Sequence, residues 1–130
     1  MNDNKKWYRS LRRSTLTPPD YVFGIVWTIL YITMFISFIL VATHKQCKYT
    51  CFPLIIFLVG FFFNIIWSYL FFTLQQPALA LIDLIIMYII NIITLIYFYK
   101  INSLATYILI PYTLWISFAL YLNLYIVSNN

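Results

Sequence analysis

Apolar residues in this chain run in long stretches separated by short polar breaks, over positions 19–42, 52–74, 77–99 and 104–127. A helix needs roughly 20 predominantly apolar residues to cross the hydrocarbon core of a bilayer, and each stretch meets that length. None keeps the period-2 alternation of a barrel strand, which in any case needs only ~10 residues. The breaks carry residues suited to turns at a membrane surface: His44-Lys45-Gln46-Cys47-Lys48, Gln75-Gln76-Pro77 and Lys100-Ile101-Asn102-Ser103. The pattern predicts an all-α membrane protein with one domain over 1–130, a bundle of four transmembrane helices. A basic amphipathic loop segment precedes the bundle.

Composition supports this reading. The 130 residues are 64% hydrophobic and 8% charged, too few charges to cover so much apolar surface in water. Met1 to Thr17 is polar and the first apolar run is a full span, which excludes a short cleavable signal peptide. The net charge of +5 is no nucleic-acid footprint, because five of eight basic residues, Lys5, Lys6, Arg9, Arg12 and Arg13, precede the first span. Basic residues in that position mark the cytoplasmic side and meet anionic head groups. Lys45, Lys48 and Lys100 fall on the opposite face, a bias of five against three. Richness in Ile, Asn, Lys, Phe and Tyr fits an AT-rich bacterial gene, so a multi-pass protein of a bacterial membrane is expected.

Conventional catalytic material is scarce. Asp3, Asp20 and Asp83 are the only acids, His44 is the only histidine, and Gly24 and Gly60 are the only glycines. That leaves little for a His-based triad, paired carboxylates or a glycine-rich phosphate loop, and no catalytic residue is assigned. No arginine lies inside a span, which argues against voltage sensing. Cys47 and Cys51, with His44 nearby, match no common zinc spacing and read as two unrelated thiols, so no metal site is expected. Asp83 is the single acid well inside a span; it either reaches interfacial water, pairs with the basic N-terminal segment, or has a function within the membrane.

Aromatic residues are abundant instead, with 12 Phe, 12 Tyr and 4 Trp. Trp7, Tyr8, Tyr21, Tyr49, Tyr99 and Tyr125 lie near span ends as interfacial anchors. Trp27, Trp67 and Trp115 lie deeper, where lipid offers the indole N–H no acceptor. Helical spacing groups Phe23, Trp27, Leu30, Tyr31 and Met34 on one face of the first span. Asn64, Trp67, Ser68 and Phe71 share a face of the second, and Pro111, Trp115, Phe118, Ala119 and Asn123 a face of the fourth. Such stripes serve either as interhelical packing with polar groups as glue or as the wall of a flat apolar pocket for a planar molecule.

Three dispersed segments carry a resemblance. They are Trp7-Tyr8, Leu11, Thr17-Pro18-Pro19, Phe23, Val26-Trp27 and Leu30-Tyr31; then Asn64 to Phe72; then Pro111 to Ala119 with Leu122-Asn123. In order and spacing these resemble the TspO/MBR family, the translocator proteins and tryptophan-rich sensory proteins. The resemblance implies five transmembrane helices around a pocket for porphyrins, haem-like tetrapyrroles, sterols and benzodiazepine-site ligands, with a tetrapyrrole as ligand and no cofactor required. At matching motif positions, Trp27 and Trp115 would face the pocket, Tyr8 its mouth and Asn64 its floor, with Ala119 beside the ligand. With the faces above, the candidate ligand-binding set is Tyr8, Phe23, Trp27, Tyr31, Asn64, Trp67, Trp115 and Ala119. Arg9, Arg12 and Arg13 are candidate donors to ligand propionates.

The chain departs from the family in three places. Only six residues precede Trp7, so four spans stand where the family has five. Ser14 and Leu16 replace a proline and a tryptophan, and the last helix ends without Lys or Arg, which the proposed cholesterol motif requires. The expected partners are the lipid bilayer and a hydrophobic small molecule, porphyrin or sterol. A homodimer, approaching near Gly60, would restore a missing wall. The leading function is a membrane translocator or sensory protein binding such ligands, in transport or stress regulation. Alternatives are light-dependent porphyrin degradation, with Trp27 and Trp115 relaying radicals, and a truncated member that binds nothing.

Overall fold

The computed structural model describes Trp7, Leu11, residues 20–45, Cys47 and residues 51–130. Four long helices account for nearly all of this: α1 (Asp20–Ala42), α2 (Phe52–Ser68), α3 (Pro77–Ile101) and α4 (Ser103–Asn129). A single π-helical turn, Tyr69–Thr73, extends α2. Each of the four spans is long and apolar enough to cross a membrane, and the protein is a multi-pass integral membrane protein with an all-α bundle. Large apolar side chains such as Ile25, Ile32, Phe35, Ile55, Phe62 and Ile89 are exposed on its outside, as lipid-facing helices require.

Local chemistry explains where the helices stop. Pro53 and Pro77 sit in the first turns of α2 and α3, where a missing N–H costs nothing. Gln75 adopts φ 53° between the π-turn and α3, a left-handed conformation that reverses the chain within three residues. At the other end of α3 the reversal needs only Asn102. Its N–H donates to Phe98 O at 2.8 Å, closing α3, and its Oδ1 accepts from the Leu104 N–H at 3.1 Å, capping α4. The helices thus run slightly past the expected ends, to Ile101 and Asn129. Lys100 lies in the last turn of α3 rather than in the break.

Packing is uneven around the bundle. Extensive contacts join α3 to α4, α2 to α3 and α1 to α4, whereas α1 and α2 meet sparsely. The order around the bundle is therefore α1, α4, α3, α2, with an open seam between α1 and α2. Polar side chains bind the closed seams. Ser37 donates to Ala105 O at 2.8 Å between α1 and α4; Asn91 donates to Thr113 Oγ1 at 2.8 Å and Ser117 to Tyr88 Oη at 3.1 Å between α3 and α4. The apolar core between them includes Leu30, Met34, Leu84, Met87, Leu109 and Ile116.

Three expectations change here. Gly60 is an intramolecular contact: a Cβ there would meet Ile90 Cγ2 at 3.0 Å, so its smallness lets α2 approach α3. Cys47 and Cys51 are not unrelated thiols but form a disulfide. The connection brings their Cα atoms to 4.8 Å, inside the roughly 4.4–6.8 Å that a bridge spans. Asp83 does not reach the interface: it is buried at 4% exposure, and its Oδ2 has no hydrogen-bond partner among the described residues.

Candidate functional site

The open seam holds a cavity of about 290 Å³ at the end of the bundle where α1 begins and α4 finishes. Phe23, Trp27 and Tyr31 line it from α1. Asn64, Trp67, Ser68, Phe71 and Phe72 line it from α2 and the π-turn, and Ala119, Leu122, Asn123 and Ile126 from α4. The i, i+4 spacing of Phe23, Trp27 and Tyr31 puts one ring per turn on the same face of α1. On α2 the same spacing aligns Asn64, Ser68 and Phe72, and Trp67 with Phe71. The wider π-turn lets the adjacent Phe71 and Phe72 both border the cavity.

Rings pack on rings around this space. Trp67 stacks on Phe71 with centroids 5.2 Å apart and planes at 24°, and Phe72 meets Trp67 edge-on at 6.0 Å. Trp27 lies 5.4 Å from Tyr31 and meets Tyr112 edge-on at 6.4 Å. Trp7, expected as a simple interfacial anchor, lies edge-on to Phe71 at 5.6 Å. With Leu11 it packs on the small cluster of Phe71, Ala80 and Ile126.

Two side-chain amides organise the polar groups. Tyr31 Oη donates to Asn64 Oδ1 at 3.1 Å, and Asn64 Nδ2 donates to Tyr112 Oη at 3.0 Å. Trp67 Nε1 donates to Asn123 Oδ1 at 3.0 Å, and Asn123 Nδ2 donates to Pro77 O at 3.0 Å. Both amides therefore connect helices and arrive at the cavity already satisfied. The Trp27 indole N–H and the Ser68 hydroxyl, both on lining residues, have no hydrogen-bond partner among the described residues. An apolar chamber with two unfilled polar groups can hold a flat hydrophobic molecule and orient it.

The structure brings together Phe23, Trp27, Tyr31, Asn64, Trp67 and Ala119 in one wall. Trp115 is absent from that lining. It stands behind, edge-on to Phe23 at 5.6 Å and to Trp27 at 6.5 Å. Tyr8, Arg9, Arg12 and Arg13 lie outside the described residues, as do Ser14, Leu16 and the Thr17-Pro18-Pro19 run. Sequence reasoning left Ser68, Phe71, Phe72, Leu122, Asn123 and Ile126 out of the site. Ser68, Phe71 and Asn123 carried a signal, since each shares a helical face with a chosen residue. Phe72 carried the same signal through its i, i+8 relation to Asn64; what spacing did not show is that the adjacent Phe71 and Phe72 both border the cavity.

Farther along the seam a second space of about 370 Å³ is bordered by Tyr31, Met34, Phe35 and Phe38 of α1 and Phe57, Leu58 and Phe61 of α2. The Tyr31–Asn64 hydrogen bond crosses the seam between the two spaces.

Comparison with known proteins places the chain in a family. The sequence model described as the TspO/MBR family matches residues 1–128. The chain belongs to the TspO/MBR family. It is 33% identical over 125 residues to the tryptophan-rich protein TspO of Chlorobaculum tepidum, covering 95% of this chain and 79% of that protein. Its identity to the TspO of Archaeoglobus fulgidus is 36% over 129 residues, covering 95% and 80%. Human translocator protein is 30% identical over 131 residues, covering 96% and 75%. As a TspO/MBR protein the chain shares its ancestry with proteins named as sensors and as translocators, and its cavity is built from three of its four helices.

Proposed function

We propose that this protein binds a planar, largely apolar molecule of the tetrapyrrole or sterol-like class in the cavity between α1, α2 and α4, as a membrane translocator or sensor. The observation that carries this reading is the aromatic wall with its two amides already hydrogen-bonded to neighbouring side chains and backbone, and the Trp27 N–H without a partner among the described residues. Aromatic faces favour a flat π-system in offset or edge-on contact, each pair adding roughly 0.5–1.5 kcal/mol beyond simple burial. Trp27 supplies both a face and an unfilled donor. The family relationship supports the same reading through relatives named tryptophan-rich sensory protein and translocator protein.

The test is a titration of detergent-purified protein with protoporphyrin IX, following the porphyrin absorption band. Saturable binding that weakens tenfold or more in Trp27→Phe, about 1.4 kcal/mol, is the expected result. Non-saturating uptake, equal in both proteins, would mean that the porphyrin only partitions into the micelle.

A further inference from the structure

The disulfide and the charge distribution together indicate which compartment the cavity faces. The helices alternate in direction, so the bundle has two distinct ends. Phe23, Phe72 and Ile126 border the cavity near the start of α1, the end of the π-turn and the end of α4, all at one end. The connection between α1 and α2 and the corner at Asn102 form the other end.

Cys47 and Cys51 are joined in that connection. Cys47 is buried at 4% exposure and belongs to the main core, while Cys51 is the residue from which α2 starts. The bridge thus fastens the connection to the first turn of α2. Disulfides form and persist in oxidising compartments and are rare where thioredoxin and glutathione systems keep thiols reduced. The basic residues bear on orientation independently. In the sequence Lys5, Lys6, Arg9, Arg12 and Arg13 come before α1, against Lys45 and Lys48 between α1 and α2 and Lys100 in the last turn of α3. Orientation follows the excess of Lys and Arg close to the spans, with the richer side retained in the cytoplasm.

We propose that the Cys47–Cys51 bridge faces the extracytoplasmic side of the membrane and that the cavity opens towards the cytoplasmic side. The start of α1 and the end of α4 then face the cytoplasm, and a ligand enters or leaves from the reducing compartment. What this means for ligand delivery rests on the binding proposed above, whereas the orientation does not.

Labelling in intact spheroplasts tests it without any ligand. The native protein is treated with a membrane-impermeant sulfonated maleimide, with or without externally added phosphine reductant. The same label is applied to Ser128→Cys, which places a thiol at an exposed position in the last turn of α4. The expected result is no label on the native protein until the external reductant is added. Ser128→Cys in a Cys47→Ser, Cys51→Ser background should react only after lysis. Should that triple variant fail to accumulate, Ser128→Cys alone gives the same reading, since the bridged pair is silent without reductant. Native cysteines that react without reductant after lysis, or a Ser128→Cys thiol labelled from outside, would overturn the proposal. Loss of porphyrin binding would leave these labelling outcomes unchanged, so the two readings fail separately.

Discussion

Asn64 holds the seam between α1 and α2 at a fixed width, because its one amide accepts a hydrogen bond from Tyr31 and donates one to Tyr112. Interhelical hydrogen bonds in membrane proteins average ~0.6 kcal/mol each. Asn64→Leu should therefore lower stability by roughly 1 kcal/mol, read as an earlier midpoint in detergent unfolding, and should also loosen porphyrin binding. A variant as stable as the native protein would show that the amide does not brace the seam. The two deep tryptophans should behave differently. Trp27 lines the cavity and its N–H has no partner among the described residues, whereas Trp115 stands behind it against Phe23 and Trp27. Trp115→Phe should thus weaken protoporphyrin IX binding less than Trp27→Phe does, and equal losses would put Trp115 in the ligand's direct path. Sequence spacing had placed both indoles on inward faces, which is as far as periodicity reaches. Whether an inward residue touches a cavity or backs its wall depends on ring orientation and on the facing helix.

At the scale of single elements, proline placement and the polar breaks made the four spans legible to within two residues. The π-turn at Tyr69–Thr73 was not legible, since its sequence YLFFT is as compatible with α-helix. The turn that follows offers a test of local strain. Gln75 holds φ 53°, which costs a residue with a Cβ about 1–2 kcal/mol. Glycine removes that strain at an entropic cost of roughly 0.5–1 kcal/mol. Gln75→Gly should raise the thermal midpoint slightly, and a lower midpoint would show that Gln75 is not strained. Gly60 predicts the opposite sign. Its missing side chain admits Ile90, so Gly60→Val should destabilise by about 1–3 kcal/mol through overpacking. A neutral outcome would mean that α2 and α3 can separate without loss.

Helix order around the bundle governs the whole molecule, and the sequence was silent about it. All four spans are apolar on nearly every side, so their patterns separate inward from outward faces weakly and do not say which helix neighbours which. Only the assembled bundle shows that α1 and α2, consecutive in the chain, are the adjacent pair that meet most sparsely. The cavity exists because of that gap, and so does the second apolar space beyond Tyr31. The disulfide was hidden for a related reason: the spacing of Cys47 and Cys51 matched no zinc pattern, and their approach depends on how the connection folds onto α2. The family relationship was legible because its aromatic and asparagine positions fall in three dispersed runs, each of which contributes residues to the cavity, among them Trp27, Asn64 and Asn123.

The central claim, that a planar ligand occupies the cavity rather than the second space or the surrounding detergent, can be tested by filling each space in turn. Ala119→Trp places an indole in the cavity, and Leu58→Trp places one beside the second space. Protoporphyrin IX titrations of the two variants should diverge. Saturable binding should be lost, by tenfold or more, in Ala119→Trp and retained in Leu58→Trp. Retention in Ala119→Trp with loss in Leu58→Trp, or no difference between them, would contradict the account.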